Sequence, residues 1–249
     1  MQHIRPKTTE WFTYFPEDYR WSAAIGGMLG LAVVGASDMG EIDRTARKLK
    51  NKLGDDEAWF FTWQELGDEL KQKADDCRNR GHTISASVFY LRASCYYQWG
   101  ERFRTVKDDH ALNVYRKSVE CFHEHAQLSI SPKIEIVEVP YEGNFLPGYF
   151  VHAENTKKSK NPTMIFFDGL DITKELQYAR GVPELIKRGF SCLVMDGPGT
   201  GEAIRFRGMF LRPDYEVAGS ACVDYLETRE DVDKNRIGIM AVSLGGYYA

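Results

Sequence analysis

The stretch Ile237-Gly238-Ile239-Met240-Ala241-Val242-Ser243-Leu244-Gly245-Gly246 is an apolar run of strand length that enters a serine flanked by small residues. Its spacing predicts a strand, a cramped turn and a helix, with Ser243 in a strained backbone conformation at the apex, the arrangement called a nucleophile elbow. Residues two before and two after such a serine must be small, because larger side chains collide across the turn. Ala241 and Gly245 meet that demand, the alanine adding one methyl group to the usual G-x-S-x-G spacing.

Upstream of this turn the chain reads as strands and helices. Residues 133–140 set Ile134 and Ile136 against Lys133 and Glu135, then Val137 and Val139 against Glu138. The period of two changes phase once, between Ile136 and Val137, where a β-bulge is expected. A turn at Gly143 and the run 146–153 complete an antiparallel hairpin. Met164-Ile165-Phe166-Phe167 and Cys192-Leu193-Val194-Met195 are short, wholly apolar runs on either side of a helical segment at 173–188, the signature of a βαβ unit buried on both faces. A further helix at 214–228 leads into the strand at 237–241. Hairpin, strand, helix, strand, helix, strand and serine turn, in that order, predict fold class α/β and the opening of an α/β-hydrolase sheet.

The N-terminal half has a helical period. Residues 55–80 carry Trp59, Phe60, Trp63, Leu66 and Leu70; Gly81 supplies a stop; residues 82–103 set Phe89, Tyr90, Ala93, Tyr96 and Tyr97 along one side; and 109–128 carry Tyr115, Val119 and Phe122. Such aromatic stripes are expected to be core. Ala86, Tyr90, Ala93 and Tyr97 alternate as in a tetratricopeptide pair, but no second copy follows at a fixed period. The apolar stretch 23–34 is about a dozen residues, short of the roughly 20 that cross a bilayer. It is expected to be a buried helix whose Gly26, Gly27 and Gly30 permit close packing. The boundaries expected are an all-helical domain over 1–131 and, over 132–249, the N-terminal part of an α/β-hydrolase domain ending just after the elbow.

Composition narrows the partners. With 249 residues, 43% of them apolar, the chain has ample material for a core, and a net charge of −4 offers no attraction to a phosphate backbone. The basic run Lys157, Lys158 and Lys160 reads as solvated loop. Five cysteines, odd in number and without a C-x-x-C, imply neither a disulfide framework nor a zinc site. The opening residues lack the plan of a secretory signal. A cytoplasmic protein is expected, with no cofactor, no metal, no nucleic acid and no membrane, and a homodimer left open.

Three stretches could do chemistry. Asp168-Gly169-Leu170-Asp171 follows the first parallel strand, where Gly169 would let main-chain amides approach a substrate. The N–H of Leu170 is assigned as one oxyanion donor and the N–H of Leu244 as its partner, each worth about 3 kcal/mol or more of transition-state stabilisation. An ordinary turn with Asp171 or Thr173 capping the next helix is the plainer alternative. Asp196-Gly197-Pro198-Gly199-Thr200-Gly201-Glu202 fails the dinucleotide fingerprint, which requires glycine where Glu202 stands. It reads as a tight turn in which Asp196 and Glu202 are structural. Cys121, His123, Glu124 and His125 resemble a metal set, but on a helix His123 and His125 point to different faces and cannot share an ion.

The runs Gly169-Leu170-Asp171-Ile172-Thr173-Lys174-Glu175 and Val194-Met195-Asp196-Gly197-Pro198-Gly199-Thr200-Gly201-Glu202 resemble the 2,6-dihydroxypseudooxynicotine hydrolases and the fungal hydrolases that shorten a polyketide. Both families carry a helical domain ahead of the hydrolase sheet; Asp168 stands where they tend to have glycine. The resemblance implies a serine hydrolase that cleaves a carbon–carbon bond beside a ketone, or an ester or acyl bond, of an aromatic or polyketide-like molecule. It also implies a helical cap with an aromatic-lined pocket, for which Tyr14, Tyr19 and Trp21 are weak candidates. The acid and histidine of such an enzyme come later in the chain than the serine, and the six residues after Ser243 contain neither. The expectation is therefore an N-terminal portion that is inactive by itself. The alternatives are a non-catalytic helical binding or scaffold module joined to a degenerate hydrolase half, and an enzyme completed by another chain.

Overall fold

Aspartates start most of the N-terminal helices. Asp18, Asp38 and Asp55 accept hydrogen bonds from amides two or three residues on and cap α1 (Tyr19–Gly30), α2 (Met39–Arg47) and α3 (Asp56–Asn79). Each cap satisfies amides that the first helical turn leaves without partners. At the end of α3, Gly81 takes φ 78° and His82 N–H bonds to Cys77 O at 2.8 Å. This left-handed stop lets α4 (Thr83–Glu101) turn back along α3. Asp108 then caps α5 (Asp109–Leu128). These elements belong to a computed structural model that describes residues 13–167 and 169–249.

The aromatic stripe of α4 is core, as its period predicts. Tyr90, Tyr96 and Tyr97 are buried, and each hydroxyl donates to a carboxylate: Tyr90 to Asp75 at 2.6 Å, Tyr96 to Glu41 at 3.0 Å, Tyr97 to Asp68 at 2.7 Å. Burying the rings is favourable only with the hydroxyls paired, since an orphaned hydroxyl costs about 1–3 kcal/mol. Phe89 is only half-buried. Of the glycines in α1, Gly27 alone serves close packing: a Cβ there would meet the Trp99 ring at 2.8 Å, whereas Gly26 and Gly30 have nothing within 4 Å. Trp21 belongs to this core, 4.9 Å from Trp59 between ring centroids, while Tyr19 is exposed.

β1 (Ile134–Tyr141) and β2 (Asn144–Val151) form the expected hairpin. The bulge expected between Ile136 and Val137 does not occur, because the pairing runs unbroken from Ile134 opposite Val151 to Tyr141 opposite Asn144. The phase change has a different cause. Val137, Val139 and Tyr141 bury one face of the strand, whereas Ile134, on the other face, is buried against the helical core, and its neighbour Ile136 is left 46% exposed.

The chain continues through β3 (Asn161–Phe167), α6 (Lys174–Lys187), β4 (Ser191–Met195), α7 (Gly201–Arg205), α8 (Glu216–Thr228), β5 (Val232–Ala241) and α9 (Gly245–Tyr248). The strands lie in the order β1-β2-β4-β3-β5, with β3 parallel to both β4 and β5. Cys192 and Val194 join the core shared with α6 and the N-terminal helices, while Leu193 and Met195 join the core under α8. Both faces of β4 are covered, and this explains its unbroken apolar run. β5 begins earlier than expected, with an irregular lead-in between Val232 and Ile237. Among the described residues no helix is long and apolar enough to cross a membrane.

Candidate active site

Ser243 lies two residues beyond the end of β5 and two before α9, with φ 58°. That value is in the left-handed region, which costs a residue bearing a Cβ roughly 1–2 kcal/mol. The turn is held by Gly245 N–H donating to Val242 O at 3.1 Å and Gly246 N–H donating to Ser243 O at 3.0 Å. The serine is exposed and Gly245 is buried.

A second loop arrives beside it because β3 and β5 are parallel neighbours, with Phe167 opposite Ala241. Asp168 lies outside the described residues. Gly169 packs against the serine: a Cβ on it would stand 2.9 Å from Ser243 Cβ, 3.1 Å from Ser243 Oγ and 3.5 Å from Leu244 N. No side chain fits at 169 without displacing the serine. Leu170 comes next and is 63% exposed. Among the described residues, neither Leu170 N–H nor Leu244 N–H donates a hydrogen bond.

Four of the described histidines make their contacts elsewhere. His110 bonds to Gln64 at 2.9 Å, His125 to Ser87 at 2.9 Å and His152 to Glu135 at 2.7 Å. His123 sets its ring edge-on to Tyr149, away from the Ser87 contact of His125, so the two diverge as helical geometry requires. Burial pushes the His125 imidazole down to about 4. His3 lies outside the described residues.

One constellation brings together residues that the sequence keeps apart. Lys174 is fully buried, and its Nζ lies 2.7 Å from Glu175, 3.1 Å from Asp196 and 2.5 Å from Glu202. Three converging carboxylates are also a potential cation site, but here the lysine ammonium lies among them. Burial raises the Asp196 carboxyl above its usual range. Glu175 is also buried, yet Lys174 and hydrogen bonds from Thr173 and Tyr149 hold its carboxyl below that range. The glycines of the 196–202 turn serve this packing: a Cβ on Gly201 would fall 1.9 Å from Asp196 Oδ2, and one on Gly197 1.8 Å from the Tyr215 hydroxyl oxygen. Asp196 accepts from Glu202 N–H at 2.9 Å and from Lys174 N–H at 2.8 Å, tying the Gly169 loop to the end of β4.

A cavity of about 650 Å3 between α1 and α6 has Val242, the residue before the serine, in its wall. Phe166 is its one aromatic lining residue, so this cavity is not the aromatic-lined pocket expected.

The sequence profile of the family described as "Esterase FrsA-like" matches residues 38–249. The chain belongs to the FrsA-like esterase family. Hydrolase acrC of Aspergillus aculeatus is 29% identical over 256 residues, covering 96% of this chain and 59% of that protein. The 20-hydroxy-prefusarin hydrolase FUS2 of Gibberella moniliformis is 28% identical over 229 residues, covering 88% and 54%. The crystal structure of the 2,6-dihydroxy-pseudo-oxynicotine hydrolase superposes with a TM-score of 0.72 at 27% identity, covering 89% of this chain and 59% of that one. This FrsA-like chain thus has the α/β-hydrolase fold and spans little more than half the length of the relatives it matches.

Proposed function

We propose that the full-length protein carrying this chain is a serine hydrolase. Its substrate is an aromatic or polyketide-like small molecule, cleaved at an ester or other acyl bond or at a carbon–carbon bond beside a ketone. Ser243 Oγ is the nucleophile, and the N–H groups of Leu170 and Leu244 are the oxyanion donors. A histidine from outside these 249 residues takes the serine proton as Oγ attacks the carbonyl carbon. The tetrahedral oxyanion collapses, the C–O or C–C bond breaks, and the leaving group gains a proton. Water then attacks the acyl-serine, releasing the acid and returning the hydrogen to Oγ. In this reading the helical residues act as a cap, in the cytoplasm, with no cofactor taking part.

The observation that carries the reading is Ser243 at φ 58° with Gly169 packed against its hydroxyl. A strained serine is retained where the strain presents the side chain to a substrate. The hydrolases named above lend the substrate class by analogy. Turnover of p-nitrophenyl butyrate by the full-length protein tests it: Ser243→Ala should lower kcat at least about 1,000-fold, and undiminished turnover would contradict the assignment.

A further inference from the structure

The Gly169 loop is gripped from the helical half of the molecule, by residues far away in sequence. Gln98 and Arg102 stand one turn apart at the end of α4 and so share a face. Gln98, fully buried, donates from Nε2 to the main-chain O of Asp171 at 3.1 Å. Arg102 donates from Nε to Asp171 Oδ2 at 2.8 Å, and its Nη2 lies 2.6 Å from the same oxygen. The guanidinium is itself fixed over the Trp99 ring, 4.9 Å from its centroid. Residues 169–174 are therefore held at three points: Gly169 against Ser243, Asp171 by α4, and Lys174 N–H by Asp196.

We propose that Arg102 and Gln98 are positioning residues that set the Leu170 amide against Ser243, so that the helical half governs the quality of the oxyanion site. The inference rests on the serine-hydrolase reading above. The Arg102–Asp171 pair is poorly suited to stabilising the fold, because Asp171 is 49% exposed and solvent-exposed ion pairs contribute little. Geometry is a different matter. A donor displaced by about 1 Å can lower a rate about 100-fold, and Asp171, the residue that α4 holds, directly follows Leu170.

The test uses the full-length protein with Arg102→Ala, Arg102→Lys and Ser243→Ala, p-nitrophenyl butyrate as substrate and a trifluoromethyl ketone as the oxyanion-forming inhibitor. Arg102→Ala should lower kcat about 10-fold and leave KM within about 2-fold. It should weaken the inhibitor by the same factor as kcat, as an interaction made in the transition state requires. Tm should stay within about 2 °C, and Arg102→Lys should recover part of the loss. Wild-type kcat in Arg102→Ala, with Ser243→Ala inactive, overturns the tether alone. A fall in kcat with inhibitor affinity unchanged, or one that tracks a fall in Tm, overturns it too. Turnover retained by Ser243→Ala overturns the serine reading and the tether with it. Should Arg102→Ala not fold, Asp171→Asn removes the same ion pair at constant shape and carries the same expectations.

Discussion

At the scale of single residues, Ser243 has little room around it. A Cβ at position 169 would lie 2.9 Å from Ser243 Cβ, closer than side-chain carbons approach without movement. Gly169→Ala should therefore displace the serine or the loop and lower kcat about 100-fold, while Tm changes by only a few degrees. Steady-state kinetics beside a thermal melt check both halves of that statement; wild-type kcat would mean the loop does not approach the serine as described. This crowding was partly legible in the sequence. A small-x-Ser-x-small spacing is a local steric demand, so Ala241, Ser243 and Gly245 could be read without knowing the fold, and Gly169 followed from its place after a parallel strand. The tether at Asp171 could not be read, because Gln98 and Arg102 lie 73 and 69 residues before it and only chain folding unites them.

At the scale of elements, the joint between α6 and the end of β4 is electrostatic as well as apolar. Lys174 at the start of α6 is 1% exposed and meets Glu175, Asp196 and Glu202. Removing a single partner from a buried charge cluster costs about 3–5 kcal/mol, because the charges left behind are uncompensated. Lys174→Met should accordingly destabilise the protein by about that amount in urea. A midpoint unchanged from wild type would show that the carboxylates do not need the lysine. Asp196 and Glu202 read as structural from the sequence, whereas Lys174 carries no such mark, since Lys-Glu at a helix start ordinarily reads as a solvated pair. The phase change in β1 has a related cause. A period-2 pattern assumes one buried face, whereas Ile134 is buried by the helical core and Val137 by the opposite one. Where the pattern meets its assumption, as in α3 and α5, the expected helix ends lie within a residue or so of the observed ones.

At the scale of the whole molecule, two layers meet on one sheet. The N-terminal helices and α6 share a core with one face, and α8 covers the other. This arrangement brings the Gly169 loop, the Asp196 turn and the serine turn to the same end of three parallel strands, the end at which α/β sheets place ligands. β5 is one of the two edge strands of the described sheet, with Ile239 44% exposed. Family membership and the fold similarity agree with that architecture, and the identity of the reacting group is its sharpest consequence. Treating the full-length protein with a fluorophosphonate, digesting it and locating the adduct by mass spectrometry addresses that consequence directly. One stoichiometric adduct is expected, on the Oγ of Ser243, appearing as esterase activity disappears; an inactivated enzyme whose adduct lies on any other residue would rule out Ser243 as the nucleophile.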